Sequence, residues 1–149
     1  MFLRWGRAFA SWLMHKRPAD FIIWNKTGAY LHRWHVIPQN RFFNIYLHLI
    51  VGNDSDRALH DHPWPFWTWV LMGRYLEIMP GRRRIVAQGD FLYRPATHTH
   101  RIELSAGSRR CVTLFITGPH TRQWGFYTDN GWVDWRTYTD ARDRGRSPN

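Results

Sequence analysis

Apolar residues recur at helical intervals only at the start of this chain. Phe2, Trp5 and Phe9, then Trp12 and Leu13, stand three and four residues apart, the interval that stacks side chains on one face of an α-helix. The spacing predicts a short amphipathic helix over 2–15, ended by His15, Lys16 and Arg17 ahead of Pro18. Its aromatic stripe is expected to pack on the body of the protein or on a second copy of the chain, so a homodimer is one expected state. An interfacial helix on a membrane is the alternative reading of the same stripe.

From residue 20 the period changes to two. Phe21-Ile22-Ile23-Trp24 and the run from Tyr30 to Ile37 flank the turn Asn25-Lys26-Thr27-Gly28, which predicts a hairpin. Further strands are expected over Asn44 to Val51, Leu59 to His62, Phe66 to Leu71, Arg74 to Met79, Arg82 to Ala87, Asp90 to Tyr93, His98 to Leu104 and Arg110 to Thr117. Gly73, Pro80-Gly81 and Ser105-Ala106-Gly107-Ser108 mark turns between them. Asp129-Asn130-Gly131, between Tyr127-Thr128 and Trp132-Val133, has the form of a final hairpin. Many short strands at even spacing, and no helical pattern after residue 20, point to an all-β sandwich or barrel. We expect three parts: a helical extension over 1–19, a barrel over 20–139 and a flexible polar tail over 140–149.

Composition narrows the class without naming a function. With 149 residues, 44% of them hydrophobic, the chain can bury one core. A single cysteine, Cys111, excludes an intrachain disulfide and fits a reducing cytoplasm, the expected compartment. The uncharged run Ala8 to Met14 is too short for a membrane span, and no small-residue cleavage site follows it. The formal charge is +10, and every basic residue except Lys16 and Lys26 is Arg. Nucleic acid is therefore a conceivable partner, but the cations are scattered along the chain and that reading is not favoured. Arg82-Arg83-Arg84 reads as a solvated hairpin tip. No nucleophile elbow, phosphate loop, zinc-finger spacing or dinucleotide fingerprint occurs.

The chemistry of the chain is concentrated in His60-Asp61-His62, with His100 following on another strand. Residues two apart on a strand share a face, so His60 and His62 would present two imidazoles together and His100 a third. Neutral imidazole ligates zinc, iron, copper and nickel. His98, two before His100, is a candidate further ligand or supporting base. So is His48, which alternates with Asn44 and Tyr46 on one strand face. His32 and His35 fall on opposite faces and form no pair.

These residues resemble the cupin superfamily. Its first motif resembles Gly, five residues, His-x-His, three or four residues, Glu, six residues, Gly. Here His60 and His62 match, Phe66 stands where the Glu is expected, Gly73 closes the motif, and Asp54 replaces the opening glycine. In the second motif Gly89, Pro95 and His100 match, while Thr97 replaces a glycine and Leu104 an asparagine. The chain is also similar to bacterial and phage cupin-like proteins with a His-Asp-His-Pro-Trp core and a late Trp-Gly-Phe, here Trp124-Gly125-Phe126. The resemblance implies an all-β fold, a single cupin (jelly-roll) β-barrel, with His60, His62 and His100 as metal ligands. It implies a divalent transition metal, with iron(II) favoured over zinc, nickel and manganese.

Around that site, Phe66 and Thr68 share an inward face, and Tyr46, Tyr93 and Phe115 are candidate walls of a substrate pocket. An anionic substrate would need an Arg; Arg33, Arg41, Arg94 and Arg101 lie near strand ends or motifs, and Arg33 is preferred. The functional expectation is a dioxygenase-like enzyme acting on a small, anionic molecule. An isomerase or epimerase using the metal as Lewis acid, and a non-catalytic binding module for a small ligand or nucleic acid, are the alternatives.

Overall fold

A computed structural model of the chain describes residues 1–25, 28–53 and 58–139. It opens with helix α1, Phe2–Lys16. Twelve strands follow: β1 Phe21–Asn25, β2 Gly28–His35, β3 Asn44–Ile50, β4 Leu59–His60, β5 Phe66–Met72, β6 Arg74–Met79, β7 Arg82–Ala87, β8 Phe91–Arg94, β9 Arg101–Leu104, β10 Cys111–Thr117, β11 Gly125–Thr128 and β12 Gly131–Asp134. A one-turn helix α2, Trp135–Tyr138, ends the described chain. Its side-chain N-cap is Asp134, which accepts from the Arg136 amide.

The strands form a six-stranded antiparallel sheet, β1-β2-β3-β10-β5-β8, and two three-stranded ones, β12-β11-β4 and β7-β6-β9. Inward side chains from all three enclose one cavity. The fold is an all-β, cupin-like barrel with a short N-terminal helix, as the motifs imply. The jelly-roll crossovers appear in the large sheet, where β10 lies between β3 and β5 in antiparallel register with both.

Strand β3 shows why alternation is weak here. Its pattern buries Tyr46, Leu47 and His48 in succession, because both faces are covered. Tyr46 and His48 face the barrel interior with Arg33, while Leu47 packs outward with Ala10, Leu13, Trp34, Leu71 and Val112 beneath α1.

Helix α1 forms where the periodicity puts it, but only part of the predicted stripe packs: Phe9 and Leu13 lie against the body, and the other aromatics do not. Phe2, Trp5 and Trp12 are 76%, 70% and 58% exposed. The packed side carries Leu3, Ala10 and Leu13 together with Gly6, where a Cβ would sit 2.9 Å from Leu71 Cδ2 and 3.5 Å from the Trp69 ring. The helix is apolar on two flanks. The flank with small residues goes down because it lets the helix axis approach the sheet closely. Among the described residues no helix is long and apolar enough to cross a membrane.

Other boundaries shift by a residue or two. The strand expected through His62 ends at His60, where Pro63 and Pro65 break the ladder. The strand expected from His98 begins at Arg101, with His100 held by an isolated bridge to His60. The short α2 lies in a region read from sequence as having no helix. The turn residues Lys26-Thr27, residues 54–57 in the loop expected after Gly52, and the tail from Asp140 lie outside the described residues.

Candidate metal centre

His60 and His100 exchange both backbone hydrogen bonds: the His60 amide donates to the His100 carbonyl at 2.9 Å, and the reverse bond is 3.0 Å. Directly opposed residues of an antiparallel pair project to one face, so their rings meet. The chain continues in register long enough for the His62 amide to reach the Ala96 carbonyl at 3.0 Å. The third ring thus returns to the same face two residues on. The ring centroids of His60, His62 and His100 form a nearly equilateral triangle with sides of 5.0, 5.1 and 5.3 Å.

One nitrogen from each ring lies within 4.8 Å of the others, and the Nε2 atoms of His62 and His100 are 3.0 Å apart. Tetrahedral coordination at metal–nitrogen bonds near 2.0–2.1 Å separates ligands by about 3.3 Å. Small side-chain adjustments therefore suffice for a divalent ion. The protonation states also suit one. Burial, reinforced by the neighbouring His100, His60, His98 and Arg33, holds His62 well below its ordinary pKa. Burial lowers His100 too, although Glu77 pulls the other way. Both rings are neutral, as a ligand must be.

Asp61, between the two histidines, turns the opposite way and is fully buried. Its carboxylate accepts from the Gly125 amide at 2.8 Å, from Arg122 Nη1 at 2.5 Å, and from Tyr127 Oη and Trp132 Nε1 at 3.3 Å each. It pins the His-x-His segment to β11 and β12. Gly125 has no room for more: a Cβ there would meet the Val133 carbonyl at 2.2 Å.

Phe66 occupies the place of the cupin glutamate, its ring 4.4 Å from that of His62. A carboxylate nevertheless reaches the site from β6. Glu77 is fully buried; its Oε1 accepts from His100 Nδ1 at 2.8 Å and His98 Nε2 at 2.9 Å. Its Oε2 accepts from Arg94 Nη2 at 2.7 Å and Arg84 Nη2 at 2.9 Å. Burial alone would raise the Glu77 pKa, but the hydrogen bonds from His100 and His98 prevail and hold it down at about 2. Glu77 is an anion donating nothing, so His100 carries its proton on Nδ1 and offers Nε2 inward. This is the carboxylate–histidine arrangement that fixes a metal-binding ring.

Glu77, His98 and His100 also lie within ligating distance of one another. A cation there would face the two guanidinium groups already paired with Glu77, so the three-histidine triangle is the better seat.

The triangle opens into a cavity of about 160 Å³ walled by Trp64, Phe66, Phe115 and Trp124, with Thr68 and Thr113 among its polar groups. His48 and Arg33 stand in its lining. Arg33 Nε donates to His48 Nε2 at 2.9 Å, and the guanidinium lies 4.6 Å above the Tyr46 ring. Burial lowers the Arg33 pKa to about 10, against the pull of Tyr46 and Tyr30, so it stays charged at neutral pH. Burial, then the Arg33 charge, keeps His48 neutral.

The structure thus brings together His60, His62, His100, His48, Arg33, Phe66, Thr68 and Phe115. Tyr46 lies behind this wall, supporting Arg33 and stacked 6.0 Å from His48. His98 serves Glu77 instead of facing the cavity. Tyr93 is on the outer face, exposed and 5.1 Å from the Trp67 ring. It does not line the cavity, because β8 pairs with β5 in a register that aligns it with outward-facing Trp67. Sequence reasoning missed Glu77, Asp61 and Trp124. The available signal for Glu77 was an acid in mid-strand on the face of Tyr75, in an otherwise apolar run.

No family model matches the chain, and no curated protein matches it. Solved structures do. HppE in its iron(II) form superposes with a TM-score of 0.54 at 10% identity, covering 62% of this chain and 52% of its own. The polyketide cyclase RemF from Streptomyces resistomycificus gives 0.51 at 20% identity, covering 59% and 64%. A cupin superfamily protein from Desulfitobacterium hafniense DCB-2 gives 0.49 at 18% identity, covering 60% and 77%. The chain spans about half to two thirds of the length of the first two. These likenesses concern the fold.

Proposed function

We propose that this protein is a metal-binding cupin in which His60, His62 and His100 hold one divalent transition ion, and that it is an enzyme acting on a small molecule admitted to the adjoining cavity. The observation that carries the reading is the triangle of three imidazoles, with His62 and His100 held neutral by burial and the ring of His100 backed by the Glu77 carboxylate. Three neutral ligands leave the ion its full charge and open positions, so when bound it supplies Lewis acidity and, if iron, access to oxygen chemistry. Asp61 fixes the segment carrying two ligands, Glu77 fixes the third ring, and the aromatic walls keep water out. Iron(II) is the first metal to assay, since HppE, of the same fold, was solved in its iron(II) form. On this reading the reaction is a dioxygenase-like oxidation; metal-assisted isomerisation is the other reaction class the same residues would serve.

The test is metal analysis of protein purified without chelator, with His60→Ala and His100→Ala alongside. We expect one ion per chain, lost in both variants, and oxygen uptake with a turned-over substrate in the iron-loaded protein. A metal-free wild type that takes up no added iron, zinc, nickel or manganese would overturn the reading in favour of a binding module.

A further inference from the structure

We propose that Arg33 is a seat for a single carboxylate, and that the molecule accepted by this cavity is a short-chain monocarboxylate lying between Arg33 and the three histidines. The far end of that pose rests on the metal-centre reading above. The seat itself does not, for it is built from residues that make no hydrogen bond to His60, His62 or His100.

Arg33 is 5% exposed. Its Nε is taken by His48 and the face of its guanidinium by Tyr46. Nη1 is buried without a hydrogen-bond partner among the described residues. An unmet donor on a buried cation is costly, and such groups mark places where a partner is missing. Among the described residues no hydrogen bond or ion pair joins an acid to it. Glu77, the acidic residue in the cavity lining, is engaged by Arg94, Arg84, His98 and His100.

Charge selects the class of ligand. Arg94 also lines the cavity, but it is neutralised by Glu77 at 2.7 and 3.1 Å. The cavity therefore offers one uncompensated guanidinium, which suits one negative charge. A dianion would bury a second charge unpaired. Thr68 and Thr113, in the same lining, can add hydroxyl donors. Size limits the rest: about 160 Å³ is close to the engineered cavity that holds one benzene ring, roughly six non-hydrogen atoms. The middle of the cavity is aromatic: Phe115 stacks on His48 at 4.9 Å and on Phe66 at 4.8 Å. The ligand is thus charged at the Arg33 end and apolar in its middle.

The probes are propionate, its neutral isostere propionamide, and inorganic phosphate, titrated calorimetrically into the full chain, both chelator-stripped and cobalt(II)-loaded. Propionate is expected to bind the stripped protein at least about tenfold more tightly than propionamide. Arg33→Gln is expected to abolish that preference, and Arg33→Lys to keep part of it. If Arg33→Gln does not fold, the propionate–propionamide comparison in the wild type decides alone. Equal affinities, no binding of either, or a preference that survives Arg33→Gln would overturn the seat. Tighter binding of phosphate would overturn the single-charge assignment. Carboxylate preference without metal uptake sinks the metal reading and leaves the seat; metal uptake without the preference does the reverse.

Discussion

Oε1 of Glu77 lies 2.8 Å from Nδ1 of His100, so a residue on β6 decides which nitrogen of a ring on another strand carries the proton. Glu77→Gln keeps the shape and removes the charge. The amide can present its nitrogen to His100, and Arg94 is left buried with no counter-ion. Metal affinity is expected to fall about 10- to 100-fold. Stability is expected to fall by about 3–5 kcal/mol, because one partner of a buried ion pair has gone. Metal titration and urea unfolding of the same variant measure the two effects; unchanged affinity would show that Glu77 only balances charge.

Acid should unfold the metal-free protein in two stages. His62 and His100 titrate below the ordinary 6.5 in the folded chain, and so does His48. The unfolded chain binds protons that the folded chain refuses, so stability is complete above pH 6.5 and declines below it. Glu77 is held at about 2 against an ordinary 4.5. Its contribution is present above 4.5 and disappears as the pH drops toward 2. The urea midpoint should decline first between pH 6.5 and 4.5 and then again below; a flat profile in the upper range would contradict neutral buried histidines.

Asp61 acts on the metal centre without facing it. Asp61→Asn weakens the contact to Arg122 and leaves an amide among donors, releasing the segment that aims His60 and His62. We expect a destabilisation of about 1–3 kcal/mol, the cost of leaving buried donors around Asp61 unmet, together with loss of tight metal binding. Retained affinity in a destabilised protein would mean that β4 alone positions the two rings. Thermal unfolding with and without added zinc separates these outcomes.

Helix α1 gives a contrast within its own predicted stripe. Leu13→Ala, on the packed side, is expected to cost about 2–5 kcal/mol. Trp5→Ser and Trp12→Ser, on the open side, should change monomer stability by no more than about 0.5 kcal/mol. Chemical denaturation at low protein concentration checks this ranking.

Much of the barrel was legible in the sequence because turns are marked by glycine and proline and the strands between them are short. The histidine triangle was legible for a stricter reason: spacing of two on a strand and a motif interval to His100 leave few arrangements. Glu77 escaped because the motif places a carboxylate at the position of Phe66, and nothing local says that a cross-strand neighbour would replace it. Its role depends on β6 pairing with β9 in a register that sets Glu77 against Ile102, two residues past His100. That is a tertiary fact. The stripe of α1 misled in part, since Phe9 and Leu13 pack and Phe2, Trp5 and Trp12 do not; periodicity reports a face without saying how much of it the sheet covers.

Cys111 is the chain's one thiol, wholly enclosed on β10 in the middle of the six-stranded sheet, and burial pushes its pKa up to about 12. An alkylating reagent can reach it only when that sheet parts. The sulfur is therefore a native stopwatch: the rate at which it is labelled times the opening of the barrel, and any ion or small acid that tightens the interior will slow it without a dye or a tag being added.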